Sequence, residues 1–190
     1  MIDKCLPIIQ KSNVFLTQLE TPQDATLYAL QKAKDYGCTT ILNPAPASLF
    51  PKDFFHYIDF FTPNETEASF YLNKNIESEE DCRSAGKEFL EMGIKNILIT
   101  LGEKGCYFKN KDEEFLIPAM ALDKQVVDTT GAGDAFNGAL SVGLSKNKSY
   151  KDCIEFASVV AGISVTREGA ANAMPFINEI EEKINELFSK

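Results

Sequence analysis

The sequence predicts an α/β fold built on a mostly parallel sheet covered by helices on both faces. Two observations carry that expectation. Short runs rich in β-branched and aromatic residues alternate with stretches whose apolar residues recur at helical spacing. The 190 residues are 44% hydrophobic, enough for one substantial core, so 1–190 reads as a single domain. Strands separated by helical segments argue for parallel pairing with both faces of the sheet buried.

The chain opens inside a short helical pattern that leads into a strand, Val14-Phe15-Leu16-Thr17-Gln18-Leu19. A helix follows from about Pro22, with proline in its first turn and Leu27, Leu30 and Ala33 on one face. Gly37 stops it, and Thr39-Thr40-Ile41-Leu42 is the next strand. Tyr57-Ile58-Asp59-Phe60-Phe61 reads as a third strand, ending at Thr62-Pro63. Two helices then open at Asn64 and near Ser78, where Ser78 and Asp81 have cap spacing. Gly93 precedes the strand Asn96–Thr100, and Cys106–Phe108 with Phe115–Ile117 reads as a hairpin. Helices are expected from the turn before Phe136, through Ile154–Val165, and over Pro175–Leu187. Repeats and low-complexity linkers are absent from the sequence.

A net charge of −9, from 28 acidic and 19 basic residues with no basic run, argues against nucleic acid and anionic membranes as partners. No stretch reaches the length of a membrane span, and no charged-then-apolar leader stands at the start; a cytoplasmic protein is expected. Cys5, Cys38, Cys82, Cys106 and Cys153 are odd in number, widely spaced and without a CxxC, so they read as reduced thiols. The single histidine, His56, lies among aromatics and reads as structural.

The chemistry concentrates in Val126-Val127-Asp128-Thr129-Thr130-Gly131-Ala132-Gly133-Asp134-Ala135-Phe136. Glycines at 131 and 133 let backbone N–H groups converge at a helix N-terminus, where the macrodipole favours an anion. Asp134 would repel a resting phosphate in that turn. The pattern is better suited to a carboxylate that accepts a proton while the amides hold a phosphoryl in flight. A lone GxG turn is often only tight packing. The dinucleotide fingerprint GxGxxG fails because Phe136 stands at its third glycine, and the P-loop pattern fails because no Gly-Lys-Ser/Thr follows.

The run DTTGAGDAF resembles the second signature of the ribokinase-like, or PfkB, family of carbohydrate kinases. The resemblance extends from about Gln18 to Ala173 and implies a three-layer α/β/α Rossmann-like fold. It corresponds to the carboxyl-terminal part of such kinases, without their small amino-terminal β lid, first strands and glycine-rich sugar-binding segment. In the family, Asp134 would be the proton acceptor, with Gly131, Ala132 and Gly133 completing the anion hole. ATP would be the phosphoryl donor, with Mg²⁺ between its phosphates.

Other segments carry a structural and a functional reading side by side. Asn64-Glu65-Thr66-Glu67 after a strand is a capping box by spacing. By resemblance, Asn64 approaches the nucleotide phosphates and Glu67 organises Mg²⁺ through water. Thr100-Leu101-Gly102-Glu103-Lys104-Gly105 is a glycine-bounded turn; the similar family segment runs along the nucleotide. Ser158 corresponds to the adenine side. Glu20, an acid near a helix start, would contact the sugar together with Asp134. Asn43-Pro44-Ala45-Pro46-Ala47 is a rigid loop after a strand, and it resembles the ribokinases of the family more than the fructokinases or adenosine kinases. Asp128 and Thr130, with Ser164, Arg167 and Gly169, resemble a site for a monovalent cation such as K⁺. Ala173 stands where many relatives have a serine ligand.

The resemblance therefore implies ATP-dependent phosphorylation of a sugar hydroxyl, with D-ribose to D-ribose 5-phosphate as the leading reaction. A fructokinase or 2-keto-3-deoxygluconate kinase is the alternative within the class. A non-enzymatic nucleotide-binding module is the alternative outside it, since this chain alone is expected to be incomplete for sugar turnover. A homodimer is expected of the full-length protein.

Overall fold

A computed structural model describes residues 2–120 and 125–188 of the chain. The chain folds as two compact units, Met1–Pro118 and Ala119–Lys190.

The first unit begins with a 3₁₀ turn (Ile2–Lys4) and a short helix α1 (Leu6–Ile9). It continues through β1 (Val14–Thr17), α2 (Gln23–Asp35), β2 (Thr39–Leu42), a 3₁₀ segment (Lys52–Tyr57) and β3 (Phe60–Phe61). After these come α3 (Glu65–Leu72), α4 (Glu79–Glu91), β4 (Asn96–Thr100), β5 (Cys106–Lys109) and β6 (Glu114–Ile117). The strands form one sheet in the order β1-β2-β3-β4-β5-β6. β1 to β4 are parallel, and β5 and β6 are antiparallel additions. The mostly parallel α/β architecture expected from the sequence is what the chain adopts.

Register aligns Thr17, Leu42, Phe61 and Ile97 across the sheet, so the carboxyl ends of β1, β2 and β3 finish together. Leu42, Phe61, Ile97, Ile99 and Tyr107 share a core with Leu30 of α2, Ala68 of α3 and Phe89 of α4. The alternating residues Ile41, Phe60, Leu98 and Phe108 are buried as well, as expected of a sheet whose two faces both lie inside. Phe61 anchors the helical side, its ring 5.4 Å from Phe89 and 5.3 Å from Tyr71.

Two boundaries differ from expectation. β1 stops at Thr17 because Leu19 leaves the β2 register and donates its N–H to Ala45 in the following loop (2.9 Å). The third strand shrinks to Phe60–Phe61, because Pro51 starts a 3₁₀ segment that turns Phe55 into the core. Aromatics at 54, 55 and 57 suit a buried strand and a tight turn equally, so periodicity could not separate them. His56 packs against Gly93: a Cβ there would lie 2.7 Å from its Nδ1.

The second unit contains α5 (Ala132–Ser145), α6 (Tyr150–Ser164), a 3₁₀ turn (Ala171–Ala173) and α7 (Ile177–Phe188). α6 starts four residues before the expected Ile154, because Ser149 caps it by accepting the Asp152 N–H (3.1 Å). α5 and α6 pack closely enough that a Cβ at Gly143 would meet Cys153 Sγ at 2.8 Å. Among the described residues no helix is long and apolar enough to cross a membrane.

Candidate functional site

In the first unit the residues expected to form a site follow the carboxyl ends of β1, β3 and β4. Thr100 donates its N–H to the Pro63 carbonyl (3.0 Å), and Asn64 and Thr100 form an isolated parallel bridge just beyond β3. Two motifs 36 residues apart are thus side by side. Asn64 Oδ1 accepts the Glu67 N–H (2.8 Å) and Glu67 Oε2 accepts the Asn64 N–H (2.9 Å), closing a capping box at the start of α3. Glu67 is buried, and burial pushes its carboxyl pKa up against the lowering effect of the Asn64 N–H.

After Thr100 the chain turns tightly. Leu101 donates its N–H to Gly105 (2.8 Å), and Gly102 and Gly105 hold φ of +55° and +100°. Leu101 sinks its side chain into the core, while Gly102, Glu103 and Lys104 stand exposed. Only the backbone of Leu101 is left to face a ligand. Lys104 reaches Glu65 at 3.6 Å.

Glu20 lies exposed in the loop after β1. That loop is fastened by Leu19 N–H on Ala45 and by Gln23 Nε2 on the Leu49 carbonyl (2.7 Å). Between the ends of β1 and β3 sits Asn43, to which sequence reasoning gave no role. Its Nδ2 reaches the Thr62 carbonyl at 3.4 Å, and its buried Oδ1 has no hydrogen-bond partner among the described residues. Buried amides are nearly always paired, so this oxygen marks Asn43 as a candidate contact. The available signal was a strand-end amide followed by proline.

The second unit carries the glycine turn. Gly131 holds φ +77° at the N-cap of α5; a Cβ there would lie 3.1 Å from Ala170 Cβ. Gly133 differs: a Cβ there would meet nothing within 4 Å. Ala132 donates its N–H to the Thr129 carbonyl (3.2 Å), so this member of the expected anion hole has an acceptor within the chain. Asp134 is exposed at the third helical position, in the first turn where N–H groups lack intrahelical acceptors.

Asp128 ties this turn to the loop after α6. Its Oδ1 accepts the Thr130 N–H (2.9 Å) and its Oδ2 the Gly169 N–H (3.0 Å). The Thr130 hydroxyl and these two amides hold its carboxyl below the usual carboxylate range. Ser164 is buried with its hydroxyl donated to the Ala161 carbonyl (2.8 Å). Arg167 turns its guanidinium to Glu179, a partner that sequence reasoning missed. Ser158 is partly exposed in α6, and Ala173 is fully buried. Among the described residues no three His, Cys, Asp or Glu side chains cluster as a metal cage.

A family model described as pfkB family carbohydrate kinase matches residues 7–177. The ribokinase of Haemophilus influenzae is 38% identical over 174 residues, covering 92% of this chain and 56% of the relative. That of Staphylococcus aureus (strain COL) is 36% identical over 175 residues, covering 92% and 57%. A solved structure of Arabidopsis thaliana ribokinase complexed with ribose and ATP superposes with a TM-score of 0.91 at 29% identity, covering 96% of this chain and 59% of that one. The chain thus spans a little over half the length of the relatives it matches.

Proposed function

Because the chain belongs to the pfkB family of carbohydrate kinases, we propose that it carries the nucleotide-binding and phosphoryl-transfer residues of a ribokinase, acting from ATP on D-ribose. The observation that carries this reading is the start of α5. An exposed carboxylate, Asp134, stands one residue after a glycine around which a Cβ would meet nothing. No packing demand explains a glycine at 133, and approach of a ligand to the backbone does.

In this reading Asp134 takes the proton of the acceptor hydroxyl as that oxygen attacks the γ-phosphorus. The bond from the γ-phosphorus to the β,γ-bridging oxygen breaks, and ADP leaves. Amides of Gly131, Gly133 and Asp134 at the helix N-terminus balance the charge on the transferring group, so catalysis is by positioning and electrostatics. Asn64 and the backbone of Thr100–Gly105 take the nucleotide, Ser158 its base side and Glu20 the sugar. The resemblance to ribokinases, one of them solved with ribose and ATP, supports this assignment.

Two cations belong to the proposal. Mg²⁺ takes oxygen ligands and keeps much of its water. Glu67, fixed by its bond to Asn64, fits holding such an ion through water. For K⁺, Asp128 and main-chain carbonyls of 164–169 form an oxygen-only set, suited to a hard cation. A cytoplasmic setting is part of the same reading, supported by five free thiols.

The test is ADP release by the gene product carrying this chain, with ATP and with or without D-ribose, D-fructose or 2-keto-3-deoxygluconate. Release that depends on D-ribose is expected. Release with another of these sugars in its place would shift the acceptor. Tight ATP binding with no sugar-dependent release would favour a nucleotide-binding module instead.

A further inference from the structure

Resting on that kinase reading, we infer that Arg167 and Glu179 are a positioning pair for the glycine turn at the start of α5. The guanidinium meets the Glu179 carboxylate as a fork. Nη1 lies 3.4 Å from Oε2, and Nη2 donates to Oε1. Glu179 Oε2 also accepts the Phe176 N–H (2.7 Å), half of a capping arrangement at the entrance of α7. One carboxylate therefore starts α7 and fastens Arg167 to it.

Two routes lead from Arg167 to the turn, both within the second unit. Gly169, two residues on, donates its N–H to Asp128 Oδ2, and Asp128 Oδ1 accepts the Thr130 N–H beside Gly131. Ala170 stands against Gly131 itself, its Cα 3.3 Å from where a Cβ would sit. The loop 167–170 is thus held at one end by α7 and presses on the anion-holding turn at the other. The Arg167 guanidinium and the Glu179 carboxylate act on the turn through Gly169, Asp128 and Ala170.

Both side chains are about one-third exposed, and an ion pair of that exposure adds little to overall stability. Its value lies in fixing where the loop rests. A fork with two N–H donors is a geometry that lysine cannot reproduce. Without the fork, the Gly169 amide loses its fixed approach to Asp128, and the Gly131–Asp134 amides lose their common aim.

Arg167→Gln, Arg167→Lys and Glu179→Gln in the gene product carrying this chain test the inference by amide hydrogen exchange and by kinetics. Exchange at Thr130 and Gly169 is expected to rise about tenfold in Arg167→Gln, with β4 amides unchanged. Turnover is expected to fall about tenfold, with the KM for ATP moving less than about twofold, and Arg167→Lys should lie between. Unchanged exchange at Thr130 and Gly169 in a folded Arg167→Gln or Glu179→Gln protein overturns the positioning role, whatever the activity does. Raised exchange with no sugar-dependent turnover even before substitution would instead support the coupling and count against the kinase reading.

Discussion

Gly131 holds φ +77° at the start of α5, where a side chain is strained, and a methyl group there would sit 3.1 Å from Ala170 Cβ. Gly131→Ala should therefore destabilise the protein by about 1–2 kcal/mol. A fall in Tm of roughly 2–8 °C would report it. Gly133 has neither constraint, and alanine is the better helix former. Gly133→Ala should hold stability within about 1 kcal/mol. Its methyl would nevertheless occupy the approach to the turn, and turnover should fall by about 10²-fold. Thermal melts with turnover assays on both variants separate the two roles; a Gly133→Ala enzyme of unchanged rate would remove the ligand-approach argument. In the sequence the two glycines look equivalent, because the crowding at 131 comes from Ala170, distant in the chain.

At the scale of elements, the capping boxes Asn64–Glu67 of α3 and Ser78–Asp81 of α4 were legible, since residues three apart on a helix start meet whatever the rest of the chain does. The short β3 was not, because its aromatics suit a strand or a 3₁₀ turn. Nor was the network at the amino ends of the strands, which depends on register. There Asp59 Oδ2 accepts the Thr40 N–H (3.1 Å), its Oδ1 pairs with Lys34 and with Lys95 (3.0 Å), and its carbonyl accepts the Asn96 side-chain amide (2.9 Å). Burial works to raise the Asp59 pKa, but Lys34, the Thr40 N–H and Lys95 outweigh it and hold the carboxyl below the usual range. A lowered folded-state pKa gives stability that is fully present above the unfolded value of about 3.9 and is lost as pH falls through the folded value. Asp59→Asn should lower stability at pH 7 by about 1–3 kcal/mol. It should also flatten the loss of stability on acidification through that window. Denaturant unfolding at pH 7 and pH 3 checks both, and an equally steep acid loss in the variant would remove Asp59 as its source.

At the scale of the whole molecule, the strand ends of the first unit and the first turn of α5 in the second hold the residues on which the kinase reading rests. The sheet class was readable because alternating strands and helices leave a parallel sheet few alternatives. The glycine turn at the start of α5 was readable because DTTGAGDAF is contiguous. Asn43 and Glu179 escaped because their meaning lies in one unpaired oxygen and in one partner twelve residues away. The central claim is that Asp134 is the proton acceptor and the glycine turn holds the phosphoryl group. Its most direct test compares sugar-dependent turnover and ATP affinity in Asp134→Asn and the unsubstituted gene product. The account predicts turnover lower by about 10²–10⁴-fold, with ATP affinity within about threefold. An Asn variant that keeps near-normal turnover would contradict it and leave the turn as an anion cradle alone.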